Sequence, residues 1–158
     1  MKPFEALIKG FAEATGLPLQ VAADDSCSLE TEGMIITLQY RQDNDDIVLF
    51  APVLTPDEET NIPAGVLRRA LEFSYNGQGT RGAFLGLFDG ALVLSVAVST
   101  HGLDVDLLCA RIIAFTETAQ GIALELESIL AEEGGYEAQG KDEGDGESLY
   151  GRNIVLKV

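Results

Sequence analysis

One stretch constrains the fold of this chain more than any other: Leu103 to Glu133, which has no proline and a single internal glycine, Gly121. Its apolar residues fall at Val105, Leu108, Ile112, Phe115, Ala119, Ile122, Leu126 and Ile129. The steps alternate between three and four, the spacing of one face of an α-helix. Leu107, Ala114, Ala123 and Leu130 widen that face into the broad stripe of a helix lying on a core. Such a helix would be roughly 45 Å long, enough to cross a whole sheet. Gly134-Gly135 is expected to stop it.

The sheet it would cross is written in the preceding residues. Residues 3–15 read as a first helix, opened by Pro3 and closed by Gly16, with Phe4, Leu7, Ile8 and Phe11 on one face. Residues 17–33 are ambiguous: Leu17, Leu19 and Val21 alternate weakly, Asp24-Asp25-Ser26 signals a turn, and 28–32 fits a short strand ended by Gly33. Residues 34–41 alternate clearly, with Met34, Ile36, Leu38 and Tyr40 opposite Ile35, Thr37, Gln39 and Arg41. Gln42-Asp43-Asn44-Asp45 is a hairpin loop into a third strand, 46–54. That strand has Ile47, Leu49, Ala51 and Val53 on one face and Val48, Phe50 and Leu54 on the other. A strand apolar on both faces is covered twice or has a partner waiting.

After an acidic loop, Pro63 opens a second helix ending near Asn76-Gly77, with Val66, Leu67, Ala70, Leu71 and Ser74 on one face. Strands follow at 83–88 and 91–98, joined by Asp89-Gly90, a strong two-residue hairpin signal. The order α-β-β-β-α-β-β-α, with strands joined by tight turns, predicts an α+β domain over residues 1–133. Its antiparallel sheet has about five strands, and the long last helix packs across it. Residues 134–152 read as a glycine- and acid-rich linker, and Asn153–Val158 as a short β-prone segment. An isolated strand of that kind is stable only when added to a sheet edge.

Charge narrows the partners. The chain carries a formal −16, of which residues 134–158 contribute −2 and the body −14. So acidic a body repels phosphate backbones and anionic bilayers, which disfavours nucleic acid and membrane surfaces. Neither a signal peptide nor an apolar run approaching about 20 residues is present, so no membrane insertion and a cytoplasmic location are expected. Cys27 and Cys109 fit reduced thiols in that compartment.

Chemistry finds little purchase. The one histidine, His101, lies in a turn with no nucleophile motif around it. Asp43-Asn44-Asp45-Asp46 lacks the glycine and the closing glutamate of a calcium loop. Gln78-Gly79-Thr80-Arg81-Gly82 lacks a phosphate loop's lysine and opens no helix. Asp104 and Asp106 suit the first turn of the long helix. No enzyme, cofactor or metal is expected. What remains is apolar side chain in excess of one sheet and one helix.

The element order, the size and the acidity resemble those of the class I type III secretion chaperones, the Tir-chaperone or CesT-like family. Phe84-Leu85-Gly86-Leu87-Phe88-Asp89-Gly90-Ala91-Leu92-Val93-Leu94 and Leu103-Asp104-Val105-Asp106-Leu107-Leu108 carry the likeness, with the opening helix that ends at Gly16-Leu17-Pro18. The resemblance implies a homodimer built on Leu67, Leu71, Phe84 and Leu87. It also implies a site on the first helix and first three strands for the N-terminal segment of a secreted effector, extended and able to add a strand. Phe4, Leu7, Ile8, Phe11, Ile35, Val48 and Phe50 would contact that client. The C-terminal segment departs from the family pattern and is expected to occupy a sheet edge as an internal placeholder. Two other readings use the same residues: a regulatory or adaptor domain binding a folded protein, and a small ligand-binding protein or enzyme. The last would need a closed pocket holding His101 or Arg81 with convergent acids.

Overall fold

A computed structural model describes residues 2–57 and 61–138. Pro3 begins helix α1 (Pro3–Thr15), where its missing N–H costs nothing, and the Lys2 N–H donates to the Glu5 carboxylate at 3.1 Å. Gly16 ends the helix at φ 73°, its N–H donating to the Ala12 carbonyl at 2.8 Å.

Three strands follow: β1 (Ser26–Thr31), β2 (Met34–Arg41) and β3 (Asp46–Leu54). Helix α2 (Ala64–Ser74) runs into a 3-10 turn at Tyr75–Gly77 and is followed by β4 (Phe84–Phe88), β5 (Ala91–Ser99) and helix α3 (Val105–Ala138). The five strands pair antiparallel in the order β1-β2-β3-β5-β4. This is the expected α+β architecture.

Two hairpins close on pairs of residues with positive φ: Asp89-Gly90 at 48° and 77°, and Glu32-Gly33 at 50° and 77°. That geometry matches the right-handed twist of the strands they join. The first pair was legible as a turn. The second was not, because Glu32 is an unusual residue for a positive φ.

The core lies on one side of the sheet. Ile36 and Leu38 of β2, Ile47, Leu49, Ala51 and Val53 of β3, and Leu92 and Leu94 of β5 are buried there. Against them α3 lays Leu108, Ile112, Phe115, Ala119, Ile122 and Leu126. Asp104 caps this helix, its carboxylate accepting the Leu107 N–H at 2.8 Å. Asp104→Ala should lower stability by about 1 kcal/mol. A urea titration checks this as a lower midpoint at unchanged slope.

Helix α3 departs from expectation in two ways. Gly134-Gly135 does not stop it, and the helix continues to Ala138. Gly134 keeps a negative φ instead of the left-handed turn that terminates a helix. Extending a formed helix through glycine costs only about 1 kcal/mol per residue. Leu107 and Ala114 are exposed, so the buried stripe is narrower than the sequence suggested. By length and composition, Val105–Gly134 would also suffice to cross a membrane, although no uninterrupted apolar run of that length exists. In this fold its apolar stripe is spent on the sheet. The expected linker at 139–152 and the segment Asn153–Val158 lie outside the described residues.

At the far corner Arg41 donates to Asp46 through Nε at 2.7 Å. That hydrogen bond holds the Asp46 carboxyl below its ordinary value, against the opposing effect of burial. A carboxyl depressed on folding contributes stability above its unfolded pKa, near 3.9, and loses it as pH falls through the lower folded value. Asp46→Asn should therefore remove part of the stability at neutral pH and flatten the acid limb of a stability-versus-pH curve. An unchanged limb would show that the pair contributes nothing.

Candidate partner-binding surfaces

Alternation along each strand sends every second side chain away from the helices. In most antiparallel sheets that outer face is polar. Here it carries Ile35, Val48, Phe50, Phe84 and Phe88, none of which belongs to the core cluster. Strand register places these residues in rows. Ser28 pairs with Thr37, Thr37 with Phe50, Phe50 with Ser95, and Ser95 with Phe84. One row thus crosses all five strands, with Phe50 and Phe84 two strands and about 10 Å apart. The Ser28 and Thr37 hydroxyls share a hydrogen bond at 2.9 Å. Val48 sits in the next row, opposite Gln39 and Ala97. Among the described residues no helix covers this face.

Helix α1 is arranged differently from expectation. Phe4, Ile8 and Phe11 are 2–3% exposed and belong to the core. The Phe4 ring stacks on Tyr40 with centroids 5.5 Å apart. The narrow aromatic face therefore fastens α1 to the body instead of waiting for a client. A helix needs such a face to be held at all, and the same spacing serves both uses. Only Leu7 of the four keeps a share of its surface. Beside α1 runs an open groove of about 710 Å³ lined by Lys9, Ala12, Leu17, Leu19 and Val21, with the edge of Ile8 at its floor. Leu17, Leu19 and Val21, whose alternation is weak, lie in no regular strand and line this groove.

At the opposite end of the sheet, α2 buries Val66 and Ala70 and leaves Leu67, Leu71 and Tyr75 exposed one turn apart. Neighbouring β4 is an edge strand with Phe84, Leu87 and Phe88 exposed. A long apolar strand edge invites pairing. The residues expected at a dimer contact, Leu67, Leu71, Phe84 and Leu87, are thus close in the fold. Phe84, however, points to the outer face and Leu87 to the helix side, as their partners Ser95 and Leu92 show.

A cleft of about 320 Å³ opens between the first half of α3 and β5. Val96, Val98, Leu103 and Phe115 give it an apolar floor, and Arg81, His101 and Arg111 stand at its margin. It brings together His101 and Arg81, yet no carboxylate lines it. Without an acid to orient the imidazole, His101 and Ser99 form no catalytic pair. Among the described residues no cluster of three or more His, Cys, Asp or Glu could hold a metal. Burial pushes the Cys27 thiol up, away from the reactive thiolate. The Arg81–Arg111 convergence was not legible in the sequence, because the two residues are 30 positions apart and neither carries a motif.

Comparison with known proteins gives this architecture relatives. The model of the Tir chaperone protein (CesT) family matches residues 6–123. The fold is similar to a chain of the ExsC–ExsE complex: TM-score 0.66 and 20% identity, covering 77% of this chain and 92% of that one. It is also similar to a chain of the HopA1–SchA chaperone–effector complex: TM-score 0.62 and 19% identity, covering 76% and 92%. A third likeness is to a chain of the heterodimeric ExoU–SpcU complex from the type III secretion system of Pseudomonas aeruginosa: TM-score 0.55, 20% identity, 75% and 93% covered. Comparison with curated protein sequences finds no match.

Proposed function

The chain belongs to the Tir chaperone protein (CesT) family, and from that premise we propose that it is a type III secretion chaperone for a secreted effector. It binds the effector's extended N-terminal segment on the outer sheet face and in the groove beside α1, and keeps it competent for export. It does so as a homodimer.

The observation that carries this reading is the uncovered apolar face. Ile35, Val48 and Phe50 sit on three rows of the sheet face opposite the core cluster. A folded partner would need one patch of matched shape. A row pattern along open strands suits an extended polypeptide, which places every second side chain at the same repeat. The groove at Leu17–Val21 continues the same logic for a segment that wraps around the helix side. Main-chain hydrogen bonds at a free edge would supply affinity without strict sequence demand. Nothing in the process calls for a covalent step or a cofactor.

Limited proteolysis of the partner captured from the source cells tests the proposal. Protection of one N-terminal stretch, with the rest of the partner accessible, is the expected result. A partner protected only as an intact folded domain would move the chain to the adaptor reading and sink the chaperone.

A further inference from the structure

We propose that the cleft between α3 and β5 is a specificity site that takes a carboxylate side chain carried on an apolar stretch of a bound polypeptide. The proposal rests on the reading of the chain as a binder of extended protein segments and adds one chemical requirement to it.

The argument begins from charge. The body of this protein is strongly acidic, and three of its cations are closely engaged within the chain. Lys2 pairs with Asp25, Arg41 with Asp46, and Arg69 with Glu72 and Glu125, whereas Lys9 reaches Glu13 only at 4.0 Å on the exposed side of α1 and Arg68 of α2 makes no ion pair among the described residues. Arg111 makes no ion pair among the described residues. Arg81 has only a loose contact, 3.5 Å to Glu117, with both side chains more than 60% exposed. An exposed pair of that length holds its partner weakly. These two guanidinium groups flank one cleft whose lining contains no carboxylate, Glu117 reaching Arg81 from outside it. The lining is therefore positive, opposite in sign to the body around it.

The cleft is amphipathic in the same sense. Its floor is Val96, Val98, Leu103 and Phe115. Its two threonines are occupied elsewhere: Thr80 donates to the Ala83 carbonyl at 2.6 Å and Thr118 to the Ala114 carbonyl at 2.8 Å. Beside the Ser99 hydroxyl and the His101 ring, the remaining donors are the guanidiniums, whose planar forks fit a carboxylate. An occupant matching both halves has a carboxylate next to apolar groups. At about 320 Å³ the site is near the small end of ligand pockets, with room for a few side chains and not for a folded domain. Acidic residues set within apolar stretches of the client would then fix which segment is held and in which register.

Three acetylated, amidated pentapeptides test this: Leu-Val-Glu-Leu-Val and its glutamine and lysine counterparts. Each is titrated into the isotope-labelled full chain while valine methyl signals are followed. The glutamate peptide should shift Val96 and Val98 and bind about tenfold more tightly than the glutamine peptide. Arg111→Glu should abolish that preference and favour the lysine peptide, whereas Arg111→Lys should retain part of it. Equal binding of the glutamate and glutamine peptides, or shifts confined to Val48, would overturn the assignment. Decanoate shifting the same methyls more strongly than any peptide would overturn it in favour of a small amphiphile. A loss of dimer mass in Arg111→Glu without a peptide effect would make the cleft a contact between copies. A chain that captures an effector segment yet ignores the glutamate loses only this site. One that discriminates the peptides yet captures no segment keeps the site and loses the chaperone function.

Discussion

Replacing Phe4 by alanine is expected to lower folding stability by about 3–5 kcal/mol, while Leu7→Ala on the same helix costs about 1 kcal/mol. Phe4 is 2% exposed and its ring lies nearly parallel to Tyr40, with an interplanar angle of 11°. Truncation removes the transfer free energy of the ring, leaves a cavity, and ends a stacked contact between α1 and β2. Leu7 only borders the core, so little is vacated. Against a total of about 5–15 kcal/mol for a typical domain, the first loss is a large fraction and the second is not. Chemical denaturation at fixed protein concentration reads the difference directly; concentration is fixed because association would add to apparent stability. If Phe4→Ala instead left stability intact and abolished partner binding, the aromatic face of α1 would be a binding face, and its placement in the core would be wrong.

That contrast shows where sequence reasoning ends. The spacing of Phe4, Leu7, Ile8 and Phe11 defines a face, and a face is all that periodicity can define. Whether the face meets the chain's own sheet or another molecule depends on what else competes for that sheet. Helix α3 was legible because its stripe, Leu108 through Leu126, has one consistent use, and the body has one sheet to receive it. Strands β2 and β3 were legible from alternation, and so was the Asp89-Gly90 hairpin. The pairing of β3 with β5 was beyond reach, since α2 and its connectors separate them. That pairing puts Phe84 in the row of Phe50, and it places a residue expected at a dimer contact on the same face as one expected at a client contact. Helix α3's narrower stripe has the same origin. Leu107 and Ala114 continue its apolar pattern, but the sheet beneath them is not filled, and they border the cleft.

Charge placed on the α2–β4 edge should convert the proposed dimer to a monomer. Leu71 is 74% exposed and Leu87 64% exposed, so aspartate at either costs the isolated subunit little. Across an interface the same change buries an unpaired charge and removes apolar area. The double variant Leu71→Asp/Leu87→Asp should weaken association at least 100-fold, about 2.7 kcal/mol. By light scattering the parent chain should then run near twice 16.9 kDa and the variant near 16.9 kDa at micromolar concentration. Ile35→Asp serves as the control, because β2 lies at the other end of the sheet, separated from β4 by β3 and β5. It should leave the mass unchanged. A double variant that remains dimeric would remove α2 and β4 from the interface. Phe84→Asp then decides a question the row geometry raises. If it yields monomers, the dimer contact folds over the edge onto the outer face and shortens the row left to a client. If it leaves the mass intact and weakens capture of the effector segment, Phe84 acts with Phe50, and the client lies across all five strands.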